Sequence, residues 1–377
     1  MASSRPRLLA VGEAASPTGY ARAMEGLLRG GLADAFETTL FAVNQRGPGA
    51  GGPRGPEQLP EVLASLDPDL VLLQGNSDAY LSYRFALEPY RARRPDARVA
   101  VWTPLDWPDL APAIPLSLAR ADLVVAYTRF GRRKLERAFR LVGVAAPRMA
   151  AIPLPVASGA FAPLSRAEAR QRLLGHGISI PPGAFVVLNA NRNQRRKRVD
   201  VTMRAFARFA SARPRALLYL HMGMRDLGCD VLALARSLGI EDRVITTTAA
   251  AAHPHVPDEV LSLIYNACEV GVNSAVAEGF GLVSFEHAAA GAAQLVPAGG
   301  ACAELWDGAA LAAGDEGDVA DALCRLHDDP ALRTRVATSS RARACDAQFS
   351  GAAIAARWEE ELRSSLRGVE LSGSFQR

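Results

Sequence analysis

The feature that most constrains the fold is a regular alternation of short apolar segments with amphipathic helical segments. Continuous apolar strands separated by helices are typical of parallel sheets that helices cover on both faces. The predicted strands form two series: 8–12, 38–43, 70–75, 98–103, 123–128 and 150–155, then 185–190, 216–222, 243–248, 270–274 and 293–297. Two such series predict an α/β fold with two doubly wound domains.

The domain boundaries follow from a segment that interrupts the alternation. Residues 157–183 are rich in turn residues and contain one short predicted helix over 166–175. We therefore predict an N-terminal domain over 1–155 and a C-terminal domain over 156–349. A last helix over 351–368 has an apolar face at helical spacing, and we expect the segment 350–377 to return to the N-terminal domain.

Composition excludes several classes of protein. Hydrophobic residues make up 49% of the chain and charged residues 22%, which is typical of a folded globular protein and not of a disordered one. The formal charge of +4 is too small to indicate a nucleic-acid partner. The first apolar run reads as a buried strand and not as a signal peptide, and no run is long enough to span a membrane. The five cysteines are never in CxxC spacing, which predicts a protein of the reducing cytoplasm. The sequence has no strong amphipathic patch, so we expect at most peripheral membrane contact.

A basic loop follows the predicted strand 185–190. It runs from Arg192 to Arg198, and we expect Asp200 to cap the helix that comes next. Arginine forks and a lysine point charge at the start of a helix suit a phosphate ligand, although a solvated basic loop is the alternative. Only two of the 43 basic residues are lysines, Lys134 and Lys197, and this scarcity favours a function for Lys197.

A glycine-containing turn follows the predicted strand 270–274. Glu278 begins the turn, its glycines let backbone approach a ligand closely, and a helix is predicted from Leu282 with Glu286 inside it. The first amides of that helix suit a diphosphate. Two alternatives stay open for the glutamates, namely one exposed and one salt-bridged acid, or a pair of hydrolytic carboxylates.

Taken together, the pattern R-x4-K and, about eighty residues later, E-G-F-G-L-x3-E resembles glycosyltransferase family 4. Segments 150–163, 241–248 and 261–297 also resemble that family, so the similarity covers about 150–310 and is weaker over 1–150. The resemblance implies a GT-B fold, in which two Rossmann-like domains face each other across a cleft. It also implies retaining transfer of a sugar from a UDP- or GDP-linked donor to an acceptor hydroxyl, with neither metal nor cofactor. The expected acceptor is a glycan, a lipid-linked compound or a small natural product, and the sequence does not decide between them.

The resemblance also implies roles for individual residues. Arg192 and Lys197 would hold the donor diphosphate and stabilise charge on the departing nucleotide, while Glu278 would contact hydroxyls of the transferred sugar. Glu286 would bind the ribose, and the loop 247–250 would line the base. The implied donor-binding residues are Gly19, Thr247, Thr248, Gly279, Phe280, Gly281, Leu282 and Glu286.

The N-terminal half departs from the family at one position. Many members place a histidine before an aspartate after the fourth strand, but this chain has Leu105 before Asp106, and all six histidines lie in the predicted C-terminal domain. We predict that Asp106 binds or polarises the acceptor hydroxyl; the alternative is a turn aspartate that caps residues 107–108. Two other functions stay open, namely a nucleotide-sugar epimerase of GT-B fold and a silent paralogue that only binds sugar nucleotide.

Two further patterns are predicted to have no catalytic role. Asp67 and Asp69 spell the D-x-D metal motif, but they precede a strand and so lie at the wrong edge of the sheet. His253 and His255 do not form a recognised metal-ligand spacing with an acid or cysteine, which favours a loop over a metal site.

Overall fold

The computed structural model describes residues 5–14, 18–43, 55–106 and 109–373, so predictions that involve 15–17, 46–54, 107–108 or 374–377 lie outside the described residues. The chain divides into two compact units. Unit 1 comprises Met1–Pro155 and Ala347–Arg377, and unit 2 comprises Val156–Asp346. The second division falls after residue 346, three residues before the predicted boundary at 349.

In the described part of unit 1, six parallel strands form a sheet in the order β2-β1-β3-β4-β5-β6. The strands are β1 Arg7–Glu13, β2 Glu37–Val43, β3 Leu70–Gln74, β4 Arg98–Thr103, β5 Leu123–Ala126 and β6 Arg148–Ala151. The α-helices are Gly19–Leu27, Ala33–Ala35, Leu59–Leu66, Ala79–Arg93, Ala113–Leu118, Arg129–Val142 and Gly351–Gly373, and Leu28–Leu32 forms a π-helical turn. The apolar strands β3 and β5 are buried along their whole length, as continuous apolar runs require.

The last helix belongs to unit 1, although it follows unit 2 in the sequence. Trp358 of this helix is fully buried, and its ring lies 5.4 Å from that of Trp102 on β4 in an edge-to-face arrangement. The helix also packs against the π-helical turn Leu28–Leu32. Because large aromatic pairs contribute strongly to a core, this contact fixes the returning segment to the first sheet.

In the described part of unit 2, six parallel strands form a second sheet in the order β12-β11-β10-β7-β8-β9. The strands are β7 Phe185–Asn189, β8 Ala216–Leu220, β9 Val244–Thr246, β10 Val270–Val272, β11 Ala293–Pro297 and β12 Leu311–Ala313. The α-helices are Arg166–Leu173, Val199–Ala210, Val231–Ser237, Asp258–Ala267, Leu282–Ala289, Gly300–Leu305, Glu316–Asp328 and Pro330–Ala344.

The α/β fold with two doubly wound parallel sheets is confirmed. Each of the eleven predicted strands overlaps an observed one, but β6 begins and ends earlier than predicted, and β12 was not predicted. Both misses lie at sheet edges, and β12 has only three residues, which is too short for a recognisable pattern. In each sheet the strand order reverses once. This switch point lies between β1 and β3 in unit 1 and between β7 and β10 in unit 2.

Candidate active site

Two of the predicted segments of unit 2 follow the two strands at its switch point. The basic loop follows β7 and the glycine turn follows β10, and these two strands are hydrogen-bonded neighbours. Ligands of open α/β sheets bind outside the carboxyl ends of the strands where the strand order reverses. The topology alone therefore brings the two predicted segments together at the favoured place for a ligand.

Buried asparagines hold the loop after β7 in place. Asn189 donates from Nδ2 to Thr202 Oγ1 over 2.9 Å and accepts from the backbone N–H of Asn191 over 3.0 Å. Asn193 donates to the carbonyl oxygens of Gly223 and Cys229, at 3.0 and 2.8 Å. The sequence analysis assigned these amides no role, although three asparagines at alternate positions after a strand are a signal for a loop held by side-chain hydrogen bonds.

The basic residues form a short turn, which corrects the prediction for Asp200. Arg195–Lys197 make one turn of 3₁₀ helix, and Arg198 has a left-handed φ of 46° at the N-cap of the helix Val199–Ala210. Asp200 lies inside the first helical turn and pairs with Arg198 at 3.1 Å, so it is not the cap. The left-handed residue ends the loop sharply and lets the chain enter the helix at once.

Lys197 and Glu278 form a buried ion pair between the two loops. Their side chains are 10% and 8% exposed, and Nζ of Lys197 donates to Oε2 of Glu278. Asn273 donates to the same oxygen over 3.3 Å. Burial alone would raise the pKa of Glu278, but the charges of Lys197 and Arg196 and the two hydrogen bonds outweigh burial and lower it. The carboxylate is therefore ionised and the pair is charged.

Backbone contacts also join the two loops, and the sequence analysis missed the residue that makes them. Arg196 donates from Nη1 to the carbonyl of Ala277 over 2.8 Å, and its own carbonyl accepts from the N–H of Val276 over 2.9 Å. Ser274 adds a contact of 2.7 Å from its hydroxyl to the carbonyl of Arg198. Within the run of basic residues, Arg196 therefore clamps the loops together while Lys197 carries the buried charge.

The glycine turn has the geometry that its sequence requires. Gly281 has a φ of +86°, which glycine adopts readily, and it sits at the N-cap of the helix Leu282–Ala289. A Cβ at this position would lie 3.4 Å from Nδ2 of Asn273, the amide that holds Glu278. Gly279 and Phe280 are buried, and the Phe280 ring stacks on that of Phe285 at 4.7 Å. The turn is thus rigid, and the helix N–H groups behind it are available beside the ion pair.

Glu286 lies inside that helix and has a different partner from Glu278. Its Oε2 accepts from the hydroxyl of Tyr265 over 2.8 Å, and both residues are buried. Tyr265 is a further residue that the sequence analysis did not select; it lies on the helix Asp258–Ala267. The two glutamates are therefore each matched to a separate donor.

Arg192 is more exposed than Lys197. Its side chain is 51% exposed and binds Asp226 with two bonds, 2.5 Å from Nε to Oδ2 and 3.1 Å from Nη2 to Oδ1. A two-point arginine–carboxylate contact fixes the orientation of the guanidinium. Asp226 follows β8 and was not predicted, because a single aspartate in a loop carries no pattern.

The loop after β9 contains the two predicted threonines. The Thr247 hydroxyl lies 2.8 Å from Nδ1 of His221 and 3.1 Å from the hydroxyl of Tyr219, and the Thr248 hydroxyl accepts from the N–H of Ala250 over 3.0 Å. These contacts order the loop Thr247–Ala250 beside the carboxyl end of β8. Thr247 is therefore held by side chains from the neighbouring strand.

Three histidines surround this loop. The His221 and His253 rings lie 5.5 Å apart and the His253 and His255 rings 6.2 Å apart. Burial, with a smaller effect of the neighbouring histidines, lowers the pKa of His221 to about 3. No cluster of three or more histidine, cysteine or acidic side chains with metal-binding geometry is found in the described ranges.

Asp106 and Gly19 lie in unit 1, apart in the chain from the other predicted residues. Gly19 is exposed and begins the helix Gly19–Leu27, whose N-cap is Thr18. Asp106 is half-buried after β4, next to the buried Leu105. The alternative role of Asp106 as a cap for residues 107–108 lies outside the described residues.

The D-x-D pattern lies at the amino edge of the first sheet. Asp69 accepts from the backbone N–H of Arg7 over 2.8 Å and pairs with Arg94 at 3.1 Å. Asp67 also pairs with both arginines, and the hydrogen bond from Arg94 lowers its pKa. These carboxylates are bound to arginines at the edge where β3 begins, opposite to the edge at which the strands of the first sheet end.

The comparison with known families agrees with this geometry. Residues 184–329 match the family model described as "Glycosyl transferases group 1". This supports a group 1 glycosyltransferase of GT-B type. The matched residues include β7, β10 and both loops that carry the Lys197–Glu278 pair.

Curated relatives extend the similarity beyond that segment. The chain is 32% identical over 234 residues to a D-inositol 3-phosphate glycosyltransferase of Nocardiopsis dassonvillei, over 59% of this chain and 51% of that protein. It is 32% identical over 242 residues to the protein of the same description from Acidothermus cellulolyticus, over 60% of this chain and 51% of that protein. The chain thus spans about half the length of these relatives.

Solved structures match nearly the whole chain. A sucrose-phosphate synthase from Thermosynechococcus elongatus superposes with a TM-score of 0.74 at 19% identity, over 97% of this chain and 100% of that one. HepE of Anabaena, in complex with UDP-glucose, gives a TM-score of 0.71 at 16% identity, over 96% and 100% of the two chains. At these identities the likeness shows the fold, which is GT-B. Over the part of the chain that the structure describes, no helix has both the length and the apolar character needed to cross a bilayer.

Proposed function

We propose that the protein is a retaining glycosyltransferase that moves a sugar from a nucleoside diphosphate sugar to an acceptor hydroxyl. The observation that carries the proposal is the buried Lys197–Glu278 pair between the two loops of the switch point in unit 2. A buried ammonium beside helix N–H groups is suited to a diphosphate, and a buried carboxylate is suited to sugar hydroxyls. No other site in the described part of unit 2 combines both groups.

The proposed chemistry needs positive charge at the leaving group. When the bond between the sugar C1 and the diphosphate oxygen breaks, the oxygen keeps the electron pair, and the cations of Lys197 and Arg192 stabilise the negative charge. Because these side chains supply the charge, we propose that transfer does not require a metal ion. Arg192 is held by Asp226, so its guanidinium is oriented before the donor binds.

The proposed stereochemistry follows from where the proton goes. The departing phosphate oxygen takes the proton of the acceptor hydroxyl while the acceptor oxygen bonds to C1 on the same face of the sugar. The anomeric configuration is then retained without a covalent intermediate, and neither Glu278 nor Glu286 needs to act as nucleophile. The separate partners of the two glutamates, Lys197 and Tyr265, support this assignment over a hydrolytic pair.

We further propose that the donor carries uridine, that Glu286 binds the ribose and that the loop Thr247–Ala250 lines the base. The complexes of HepE with UDP and with UDP-glucose support uridine over guanosine. We assign the acceptor to unit 1, with Asp106 at the acceptor hydroxyl, and a cytoplasmic location is supported by the five free cysteines.

The test is a thermal-shift panel of the full chain with UDP, GDP, ADP and dTDP. A ligand that binds only the folded protein raises its Tm. We expect UDP to give the largest rise in the wild type, and Lys197→Ala to abolish it. Lys134→Ala is the matched control, because it removes the other lysine from unit 1 and should leave the UDP shift unchanged.

Two results would contradict the proposal. If no nucleotide raises the Tm of the wild type, the switch-point loops are not a working donor site. The proposed transfer from a nucleoside diphosphate sugar is then wrong. If UDP binds but UDP-glucose with acceptors gives an inverted anomer by NMR, the donor site is correct and the retaining mechanism is wrong.

A further inference from the structure

The carboxyl edge of the first sheet has polar groups at its own switch point. Gly12 on β1 and Gln74 on β3 each directly follow the last pair of the β1–β3 register, Val11 with Leu73, and Gln74 pairs with Trp102 on β4. These three residues therefore project on the same face of the sheet. A Cβ on Gly12 would lie only 3.1 Å from Oε1 of Gln74 and 2.9 Å from Cε of Met24, so the glutamine amide fills the space left by the glycine.

Two buried polar side chains at this edge have no hydrogen-bond partner among the described residues. Gln74 is 5% exposed, and both its Nε2 and its Oε1 are unpaired. Tyr127, directly after β5, is 4% exposed, and its hydroxyl is unpaired. The Tyr127 ring lies 5.5 Å from that of Trp102, which occupies the strand between the two groups. Because nearly all buried polar groups are hydrogen-bonded, these two exceptions on either side of Trp102 call for a partner that the described residues do not supply.

The surroundings of these two groups are acidic and neutral. Burial raises the pKa of Tyr127 well above its ordinary value, and Tyr20, Asp106 and Glu13 raise it further. Glu13 ends β1 and accepts from the Thr18 hydroxyl. The three groups that act electrostatically on the Tyr127 hydroxyl, Tyr20, Asp106 and Glu13, are thus all acids.

Neighbouring residues continue the same chemistry. The Tyr20 hydroxyl donates to Oδ1 of Asn76 over 2.7 Å, and burial together with Glu13 raises the pKa of Tyr83. Lys134 interacts electrostatically with Asp106 from the helix Arg129–Val142. The edge of the sheet therefore has amide groups, phenol groups and the carboxylates of Glu13 and Asp106. Asp106 interacts electrostatically with Lys134.

This set of groups fits one class of ligand. Amide and phenol groups both donate and accept, as sugar hydroxyls do, and carboxylates accept from hydroxyls. Gln74 and Tyr127 would offer a phosphate no positive charge, and Glu13 and Asp106, whose charges act on the Tyr127 hydroxyl, would repel it. We propose that Gln74 and Tyr127 bind an uncharged, hydroxyl-rich acceptor, a sugar or a cyclitol, at the switch point of unit 1.

The inference rests on the proposed glycosyltransferase function and names its acceptor class. It differs from what the description of the curated relatives would suggest, since those proteins are described by a phosphorylated inositol. It also assigns two binding residues that the sequence analysis did not select. Neither Gln74 nor Tyr127 carries charge, so both determine specificity through hydrogen bonds alone.

The experiment measures binding by saturation-transfer NMR on the full chain with UDP present. Two matched pairs serve as probes, glucose with glucose 6-phosphate and myo-inositol with D-myo-inositol 3-phosphate. We expect the neutral member of a pair to bind more tightly than its phosphate, and Gln74→Met and Tyr127→Phe each to weaken that binding at least tenfold. Tyr90→Phe is the matched control, because it removes a hydroxyl of unit 1 that is bonded to the carbonyl of Pro68.

The outcomes are distinguishable from failure of the proposed function. Tighter binding of the phosphorylated member in both pairs overturns the inference, as does the absence of binding by either neutral probe. Unchanged affinity in Gln74→Met and Tyr127→Phe overturns it too, since the unpaired groups would then bind only water. The UDP shift of the same samples is read independently, so loss of nucleotide binding in the wild type contradicts the donor site of unit 2 and not the acceptor class.

Discussion

The two units share one architecture but place their polar side chains differently at the switch point. In unit 2 the two buried carboxylates at the switch point are each paired, Glu278 with Lys197 and Glu286 with Tyr265. In unit 1 the buried Gln74 and Tyr127 have no partner among the described residues. The same parallel sheet therefore supports a charged site in one unit and a neutral one in the other.

A buried charged side chain needs a partner of opposite charge within the protein, whereas a buried neutral side chain does not. An unpaired buried charge is far more costly than an unpaired amide or hydroxyl, so Lys197 requires Glu278 even before a ligand arrives. Gln74 and Tyr127 carry a smaller penalty, which a ligand or water can remove. The predictions below test how strictly each unit depends on its own kind of polar group.

The largest effect is expected from replacing Lys197 with arginine. Lys197→Arg places a broad planar guanidinium where a compact ammonium is 10% exposed against Glu278, and the diphosphate contact changes geometry. We expect kcat for transfer from UDP-glucose to fall about 100-fold or more, the range found when one preorganised hydrogen-bond donor is lost. Steady-state kinetics of nucleotide release provide the measurement.

Lys134→Arg is the matched exchange in unit 1. This lysine is half-buried on the helix Arg129–Val142, and we expect kcat to change less than twofold. If kcat falls equally in Lys197→Arg and Lys134→Arg, the loss comes from packing of the larger arginine side chain and not from a special role of Lys197 at the donor site.

The next effect separates the units by pH. All six histidines lie within Val156–Asp346, and burial lowers the pKa values of both His221 and His287 to about 3. Their native pKa values lie below the unfolded value of about 6.5, so stability is complete above that pH and falls as pH decreases through 6.5. At pH 5 each buried histidine should lower the free energy of unfolding by about 2 kcal/mol.

Urea unfolding at pH 7.5 and at pH 5.0 measures this loss. His287→Gln should reduce the difference in free energy of unfolding between the two pH values by about 2 kcal/mol. His176 is exposed, and His176→Gln should reduce it by much less. An identical pH dependence in the wild type and in His287→Gln would rule out the buried imidazole as the cause.

Most of the fold could be predicted from the sequence because the strands are short and apolar without interruption. Such runs as Leu70–Gln74 and Phe185–Asn189 are recognisable whatever their neighbours, since both faces are buried. β12 could not be predicted in this way, because a three-residue edge strand is fixed by pairing with β11 and not by its own pattern. The prediction that Asp200 caps the helix Val199–Ala210 was wrong for a similar reason. The N-cap is Arg198 in a left-handed conformation, which arginine rarely adopts and which its sequence does not indicate.

The site was only partly predictable, and its two halves differ in the cause. Lys197, Glu278 and the glycine turn form a spaced pattern, so sequence alone selects them. Arg196 and Tyr265 act through contacts with residues 81 and 21 positions away in the sequence, which no local pattern contains. Gln74 looks like an ordinary strand end until the absence of a side chain on Gly12 and of a hydrogen-bond partner among the described residues becomes visible. The roles of the predicted residues remain predictions.

The smallest effect compares two glycines with positive φ. Gly281 of unit 2 has a φ of +86° and Gly31 of unit 1 has a φ of +123°. Alanine is strained at both, so Gly281→Ala and Gly31→Ala should each lower the free energy of unfolding by about 1–2 kcal/mol. Urea unfolding at neutral pH checks this common cost.

Nucleotide binding should separate the two variants. A Cβ on Gly281 lies 3.4 Å from Nδ2 of Asn273 and from Cγ of Glu278, so alanine presses on the groups that hold the charged pair. A Cβ on Gly31 has no described atom within 4 Å. We therefore expect calorimetric titration with UDP to show weaker binding to Gly281→Ala, by a factor of about 5 to 10 if about 1 kcal/mol of that strain reaches the site, and unchanged binding to Gly31→Ala. If both variants bind UDP like the wild type, the turn positions its helix without positioning the ion pair, and the two units would be more alike than their polar groups suggest.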